Sequence, residues 1–242
     1  MKDTLYKNLQ STVKPFEFDQ HVVDVFPDMI KRSVPGYPMT LAMISVIADR
    51  YFIDGTSIYD LGCSIGAVSF ALDNGLTHQD GKIIGIDNSE AMIASCHRSL
   101  ELHQSQFDIE FIQADVTDFQ ISNASVVVMN FTLQFIPLEK RYDLLKRIYE
   151  GMLPGGVLII SEKIAFAADQ EASLMQEMHH HMKAMNGYDD MEIANKRDAL
   201  EKVLIPENLD THFSRLEAIG FQSVTQWLRC LNFVSVLAFK PD

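Results

Sequence analysis

The sequence predicts an α/β fold in which a doubly wound, mostly parallel sheet of seven strands ends in an antiparallel hairpin. Short apolar runs alternate with helical stretches through the middle of the chain, the pattern of a parallel sheet covered on both faces. The last two runs are joined by too few residues for a crossover and must pair antiparallel. Hydrophobic residues make up 47% of the 242, ample for one large core.

Taken in order, residues 1–17 are polar and mixed and are expected to be partly mobile. Residues 18–52 carry two extra N-terminal helices, split where Val34-Pro35-Gly36-Tyr37-Pro38 forbids a continuous helix. Predicted strands follow at 57–61, 82–86, 109–112, 125–129 and 157–160, with helices at about 65–74, 89–103 and 138–152. Gln222–Leu228 and Leu231–Phe239 form the hairpin. The stretch 163–221 is too long for a plain crossover and reads as a helical insertion, a lid or dimer segment. Within it Met175, Met178, Met182 and Met185 share a helical face, read as flexible core, dimer face or an adaptive lid. The whole chain, 1–242, is read as one domain.

A net charge of −13 argues against direct binding of nucleic acid, because phosphates repel an acidic surface. No apolar run reaches the roughly 20 residues of a bilayer-spanning helix, and the start of the chain lacks a signal-peptide core. Three cysteines, Cys63, Cys96 and Cys230, without C-x-x-C spacing fit a reduced, cytoplasmic protein with no structural metal. His179-His180-His181 offers no metal site either, since consecutive helical residues diverge by about 100°.

The loop Asp60-Leu61-Gly62-Cys63-Ser64-Ile65-Gly66 follows the first strand and opens a helix, and three chemistries use such a loop. A dinucleotide fingerprint needs glycine where Ser64 stands. A nucleophile elbow matches Gly62-Cys63-Ser64-Ile65-Gly66 literally, but its acid and histidine would have to be Asp115 and His212, with no oxyanion loop upstream. An S-adenosyl-L-methionine site places acids at successive strand ends. Asp60 precedes the glycine turn, Asp87 is set to accept from both ribose hydroxyls, and Asp115 is set to accept from the adenine amine beside Val116. Three acids on one carboxyl edge favour this third reading. Ser89 doubles as the N-cap of the next helix.

Beyond these motifs, Phe18-Asp19, the run from Val25 to Ile30, Arg32-Ser33-Val34-Pro35-Gly36-Tyr37 and Asn130-Phe131-Thr132-Leu133-Gln134-Phe135 resemble the carboxy-S-adenosyl-L-methionine synthase family. Asp60 to Ser64, Ile86 to Ser89, Ser161-Glu162-Lys163, Asn186-Gly187-Tyr188 and Lys196-Arg197 continue the resemblance over roughly 16–240. It implies a Rossmann-like class I methyltransferase fold and an enzyme, a transferase that does not methylate. The implied reaction takes S-adenosyl-L-methionine and prephenate to carboxy-S-adenosyl-L-methionine, phenylpyruvate and water. The product would pass to a tRNA carboxymethyltransferase acting on the wobble uridine, so the acidic chain itself never grips tRNA. The alternative is an S-adenosylmethionine-dependent methyltransferase acting on a small acidic molecule.

By the same resemblance the cofactor residues are Tyr37, Gly62, Cys63, Ser64, Asp87, Asn88, Asp115, Val116, Asn130 and Arg197. Arg197 would recognise the added carboxylate with its planar fork, delivered from the neighbouring subunit of a homodimer. By itself, Arg197 reads equally well as a surface arginine paired with a carboxylate. Lys163, Lys31, Arg32 and Arg229 are further candidates for prephenate's carboxylates. No side chain is a certain catalytic acid or base, because prephenate can release both carbon dioxide and the hydroxide that takes up a methyl proton. The protein's part would be positioning and exclusion of water.

Overall fold

The computed structural model describes residues 1–7, 16–78, 80–200 and 203–242. Two helices lead, α1 (Gln20–Ser33) and α2 (Tyr37–Tyr51). Asp19 caps α1 by accepting from the Val22 amide, and Gly36 at φ 74° with Pro38 just inside α2 makes the corner between them. The central elements are β1 (Thr56–Leu61), α3 (Ala67–Gly75), β2 (Gly81–Asp87), α4 (Glu90–Leu100), β3 (Asp108–Gln113), β4 (Ala124–Asn130), α5 (Leu138–Gly151) and β5 (Met152–Lys163). The insertion forms α6 (Asp169–Met185), α7 (Asp190–Leu200) and α8 (Leu209–Ile219), and β6 (Gln222–Cys230) and β7 (Phe233–Phe239) close the chain.

The seven strands run in the order β3-β2-β1-β4-β5-β7-β6, parallel from β3 to β5 and antiparallel through β7 and β6. Every predicted strand is present. β5 starts earlier than 157 because Met152 already pairs with Ala124, and Pro154-Gly155-Gly156 is absorbed as a bulge with Gly155 at φ 74°. α3 starts later than 65, since Ser64 at φ 50° and Gly66 at φ 79° hold the preceding loop out of helical geometry.

Alternation along β4 divides the core. Val127 and Met129 pack with Leu144, Ile148 and Leu216 on the face covered by α5 and α8. Val126 and Val128 pack with Ile44, Leu72 and Ile93 on the face of α2, α3 and α4. Both faces are therefore buried, which is why the strands read as unbroken apolar runs.

The insertion is tied down by polar contacts. The buried Arg141 guanidinium bonds Glu207 and donates to the Ile205 carbonyl at 2.8 Å. The Asn186 amide donates to the Arg32 carbonyl at 3.0 Å, and the Arg32 guanidinium lies 3.9 Å over the Tyr188 ring. The segment 1–17, expected to be partly mobile, is anchored at both of its described ends: Asp3 is 1% exposed and Phe16 is buried; residues 8–15 lie outside the described residues. The methionine stripe is not core in this chain. Met178 and Met185 are exposed and Met175 and Met182 only half-buried, while the fully buried residues of α6 are His179 and Lys183. Among the described residues no helix is long and apolar enough to cross a membrane.

Candidate functional site

One cavity of about 790 Å³ opens at the carboxyl ends of β1, β2, β4 and β5, and every residue expected to hold S-adenosyl-L-methionine lines it: Tyr37, Gly62, Cys63, Ser64, Asp87, Asn88, Asp115, Val116, Asn130 and Arg197.

The glycine loop after β1 is shaped by close approach. At Gly62, φ 77°, a Cβ would lie 2.3 Å from the Thr132 hydroxyl, so only glycine lets the two loops meet. Asp60, 1% exposed, accepts from the Ser69 amide at 3.1 Å and its hydroxyl at 2.8 Å, which fixes the start of α3. Burial raises its pKa to about 7. The Asp87 carboxylate accepts from the Ser64 amide at 2.9 Å and from the Ser89 amide at 2.9 Å. Burial raises its pKa against the pull of those two amides. Each Asp87 oxygen retains a further lone pair, so the pair of ribose hydroxyls finds acceptors there. Asp115 accepts from the Thr117 amide at 2.8 Å, and Val116 beside it is buried.

The loop after β4 is oriented from below. Glu162, 2% exposed, accepts from the Leu133 and Gln134 amides, each at 2.9 Å. Burial pushes its pKa up to about 8. Asn130 lines the cavity with its buried Oδ1 lacking a hydrogen-bond partner among the described residues, and Asn232 does the same from the β6–β7 turn. Orphaned buried amide oxygens in a ligand-sized cavity call for a donor, which an ammonium or ribose group supplies. Tyr37 is nearly buried beside Phe131, with ring centroids 6.4 Å apart, and burial keeps its hydroxyl protonated.

Arg197, on α7, lines the cavity of its own chain, and its Nε and Nη2 donate to Asp198 at 3.2 and 3.0 Å. Lys163 also lines the cavity; Lys31, Arg32 and Arg229 do not. Lys31 is exposed, Arg32 pairs with Asp28 at 2.7 Å, and Arg229 pairs with Glu171 at 3.0 Å. The nucleophile-elbow reading is not assembled. The Ser64 hydroxyl meets the Met92 sulfur at 3.4 Å, and His212 lies on α8 outside the cavity. His179 is buried with Nε2 2.7 Å from the Ser33 carbonyl, and burial lowers its pKa to about 3. Among the described residues no group of three His, Cys, Asp or Glu side chains is placed to hold a metal ion.

The sequence reading passed over Lys183 and named Lys196 only as part of the Lys196-Arg197 pair, with no role; both are buried and both line the cavity. Lys196 donates to the Ser33 hydroxyl at 2.9 Å and pairs with Asp3 at 3.4 Å, and Tyr188 donates to the same Asp3 carboxylate at 2.6 Å. The signal for Lys183 was its four-residue spacing from His179, which places both on one face of α6.

Residues 58–156 match a family model described as a methyltransferase domain. A carboxy-S-adenosyl-L-methionine synthase of Hahella chejuensis is 48% identical over 244 residues, covering 99% of this chain and 98% of that protein. One of Geobacter metallireducens is 50% identical over 239 residues, covering 98% of each. Among solved structures, human N-acetylserotonin methyltransferase in complex with S-adenosylmethionine superposes with a TM-score of 0.64 at 15% identity, over 92% of this chain and 56% of that one. Magnesium protoporphyrin IX methyltransferase of Synechocystis PCC 6803, with S-adenosylmethionine bound, gives 0.56 at 14% identity, over 85% and 80%. At such identities the likeness is one of fold, and the fold is the Rossmann-like one of class I methyltransferases.

Proposed function

The chain belongs to the carboxy-S-adenosyl-L-methionine synthase family of enzymes, and on that premise we propose that it converts S-adenosyl-L-methionine and prephenate to carboxy-S-adenosyl-L-methionine, phenylpyruvate and water. The observation that carries this reading is the polarity of the cavity: the acids Asp87 and Asp115 line the part reached from β2 and β3, while Lys163 and Arg197 line the part reached from β5 and α7. An adenosyl group fits the first part and carboxylates fit the second.

In this reading Asp87 holds the ribose, Asp115 and Val116 flank the adenine, and Asn130 and Tyr37 face the methionyl end. S-adenosyl-L-methionine supplies a methyl carbon acidified by the adjacent sulfonium, and prephenate supplies carbon dioxide and, as its ring aromatises, the hydroxide that leaves with the methyl proton as water. Arg197 receives the new carboxylate. Helices α6 and α7 cover the cavity and keep out water that would compete for the activated carbon. The product would feed a separate enzyme that carboxymethylates the wobble uridine of tRNA. A net charge of −13 supports that division of labour in the cytoplasm, since a chain of this charge has no need to bind tRNA. A homodimer in which Arg197 also reaches the neighbouring site belongs to the same proposal.

The test is direct. Incubation with S-adenosyl-L-methionine and prephenate is expected to yield phenylpyruvate and a nucleoside heavier by one carboxylate on mass spectrometry. S-adenosylhomocysteine formed together with a methylated acid would instead make the chain a methyltransferase.

A further inference from the structure

Lys183 is 5% exposed and lines the cavity, and among the described residues its ammonium has no hydrogen-bond or ion-pair partner. Its neighbours in the lining are differently placed: Lys196 is held by Asp3, and Arg197 by Asp198. The charges acting on Lys183 are Lys196 from α7 and Lys163 from β5, and Lys183 in turn acts on His179 and His180 of its own helix. Arg197 also acts on His180, so several cations gather on this side of the cavity, and among the described residues no acid acts on Lys183. Burial, reinforced by those cations, lowers its pKa to about 7. A chain of net charge −13 has acids in excess, so a cluster of this sign inside it is a local arrangement and not a consequence of composition.

A buried ammonium without a counter-ion weakens the folded state, and such a group is retained where a ligand supplies the missing charge. S-adenosyl-L-methionine has a single carboxylate against a sulfonium and an ammonium, so a wall of several cations suits an anionic co-substrate better, and unaltered S-adenosyl-L-methionine binding by a Lys183 variant separates the two. We infer that the Lys183 ammonium is the receptor for a carboxylate of the co-substrate, a seat separate from the Arg197 guanidinium. The inference rests on the proposed reaction for the identity of that co-substrate and on the cavity geometry for its charge. Lys183 is then the group that admits an anion, presented from the α6 side of the cavity.

Lys183→Met removes the charge and keeps the length, and Lys183→Arg keeps the charge. Lys183→Met is expected to bind S-adenosyl-L-methionine as wild type does, to raise the KM for prephenate about 10- to 150-fold, the equivalent of one charge-assisted hydrogen bond, and to melt no lower than wild type without ligand. Lys183→Arg should recover part of the loss. In a second arm, wild type loaded with S-adenosylhomocysteine is heated with and without sulfate, which should stabilise it and leave Lys183→Met unmoved. If wild type turns over no prephenate while the sulfate difference persists, the proposed reaction falls and the anion seat stands. Unchanged KM together with equal sulfate stabilisation of both proteins, or a Lys183→Met variant that melts well below wild type, overturns the inference and makes Lys183 a structural residue.

Discussion

The Ser64 amide donates to the Asp87 carboxylate at 2.9 Å, and this one bond ties the glycine loop after β1 to the end of β2. The two segments that would hold a nucleoside are thus fixed to each other before any ligand arrives. Ser64 keeps its amide aimed at Asp87 by adopting φ 50°, a conformation that its neighbours must impose.

Asp87→Ala is expected to weaken S-adenosyl-L-methionine binding by about 2–4 kcal/mol, because it removes the acceptors proposed for the ribose hydroxyls and the bond to the Ser64 amide. Calorimetric titration checks this; binding equal to wild type would remove Asp87 from the site.

Cys63 is expected to act through its backbone. Its thiol is held protonated, first by hydrogen bonding with the Cys96 thiol and then by burial. Cys63→Ala should retain most activity, and wild type should resist alkylation at this position. Near-total loss of turnover in the variant would reveal thiol chemistry.

Asp3 collects the Tyr188 hydroxyl and the Lys196 ammonium in a buried cluster. Asp3→Asn leaves that ammonium without its charge partner and should cost on the order of 3–5 kcal/mol in urea unfolding. Because Lys196 precedes Arg197 on α7, the affinity for carboxy-S-adenosyl-L-methionine should fall as well.

Arg197→Ala should weaken carboxy-S-adenosyl-L-methionine by about 2–4 kcal/mol more than it weakens S-adenosyl-L-methionine, and Arg197→Lys should rescue only partly, since an ammonium lacks the bidentate fork. Equal weakening of both nucleosides would make Arg197 structural. Mixing Arg197→Ala with Asp87→Ala chains tests delivery from a neighbouring subunit: recovered activity supports it, and none in verified mixed dimers refutes it.

Lys183 gives the pH dependence a sign. Its native pKa, about 7, is below the ordinary value of 10.5. Between these values the unfolded chain binds the extra proton, so this group makes stability rise with pH from 7 toward 10.5; below 7 its full penalty is present and no longer changes with pH. Any excess stability of Lys183→Met over wild type should therefore be greatest at and below about pH 6 and vanish only above about pH 10.5. For prephenate, kcat/KM of wild type should decline above pH 7 as the receptor loses its charge. A decline of equal size in Lys183→Arg would assign it to another group.

Much of this site is legible in the linear chain. Apolar runs with β-branched residues, glycines at Gly62 and Gly66, and acids at Asp60, Asp87 and Asp115 are local statements. A strand's end and the loop after it depend on neighbours a few residues away, and all parallel strands carry those ends to the same edge. Which cations reach the cavity is not local. Arg32, in the Arg32 to Tyr37 string, and Lys183, in no recognisable motif, exchange the roles their settings suggested. Arg32 is drawn off by Asp28 and Tyr188, and α6 is rotated so that His179 meets the Ser33 carbonyl, a contact between residues 146 positions apart. That contact goes with an orientation of α6 in which His179 and Lys183 are buried, Met175 and Met182 half-buried, and Met178 and Met185 exposed. Periodicity along a helix tells which residues share a face, but only the packing of α6 against α1 chooses the face that is buried.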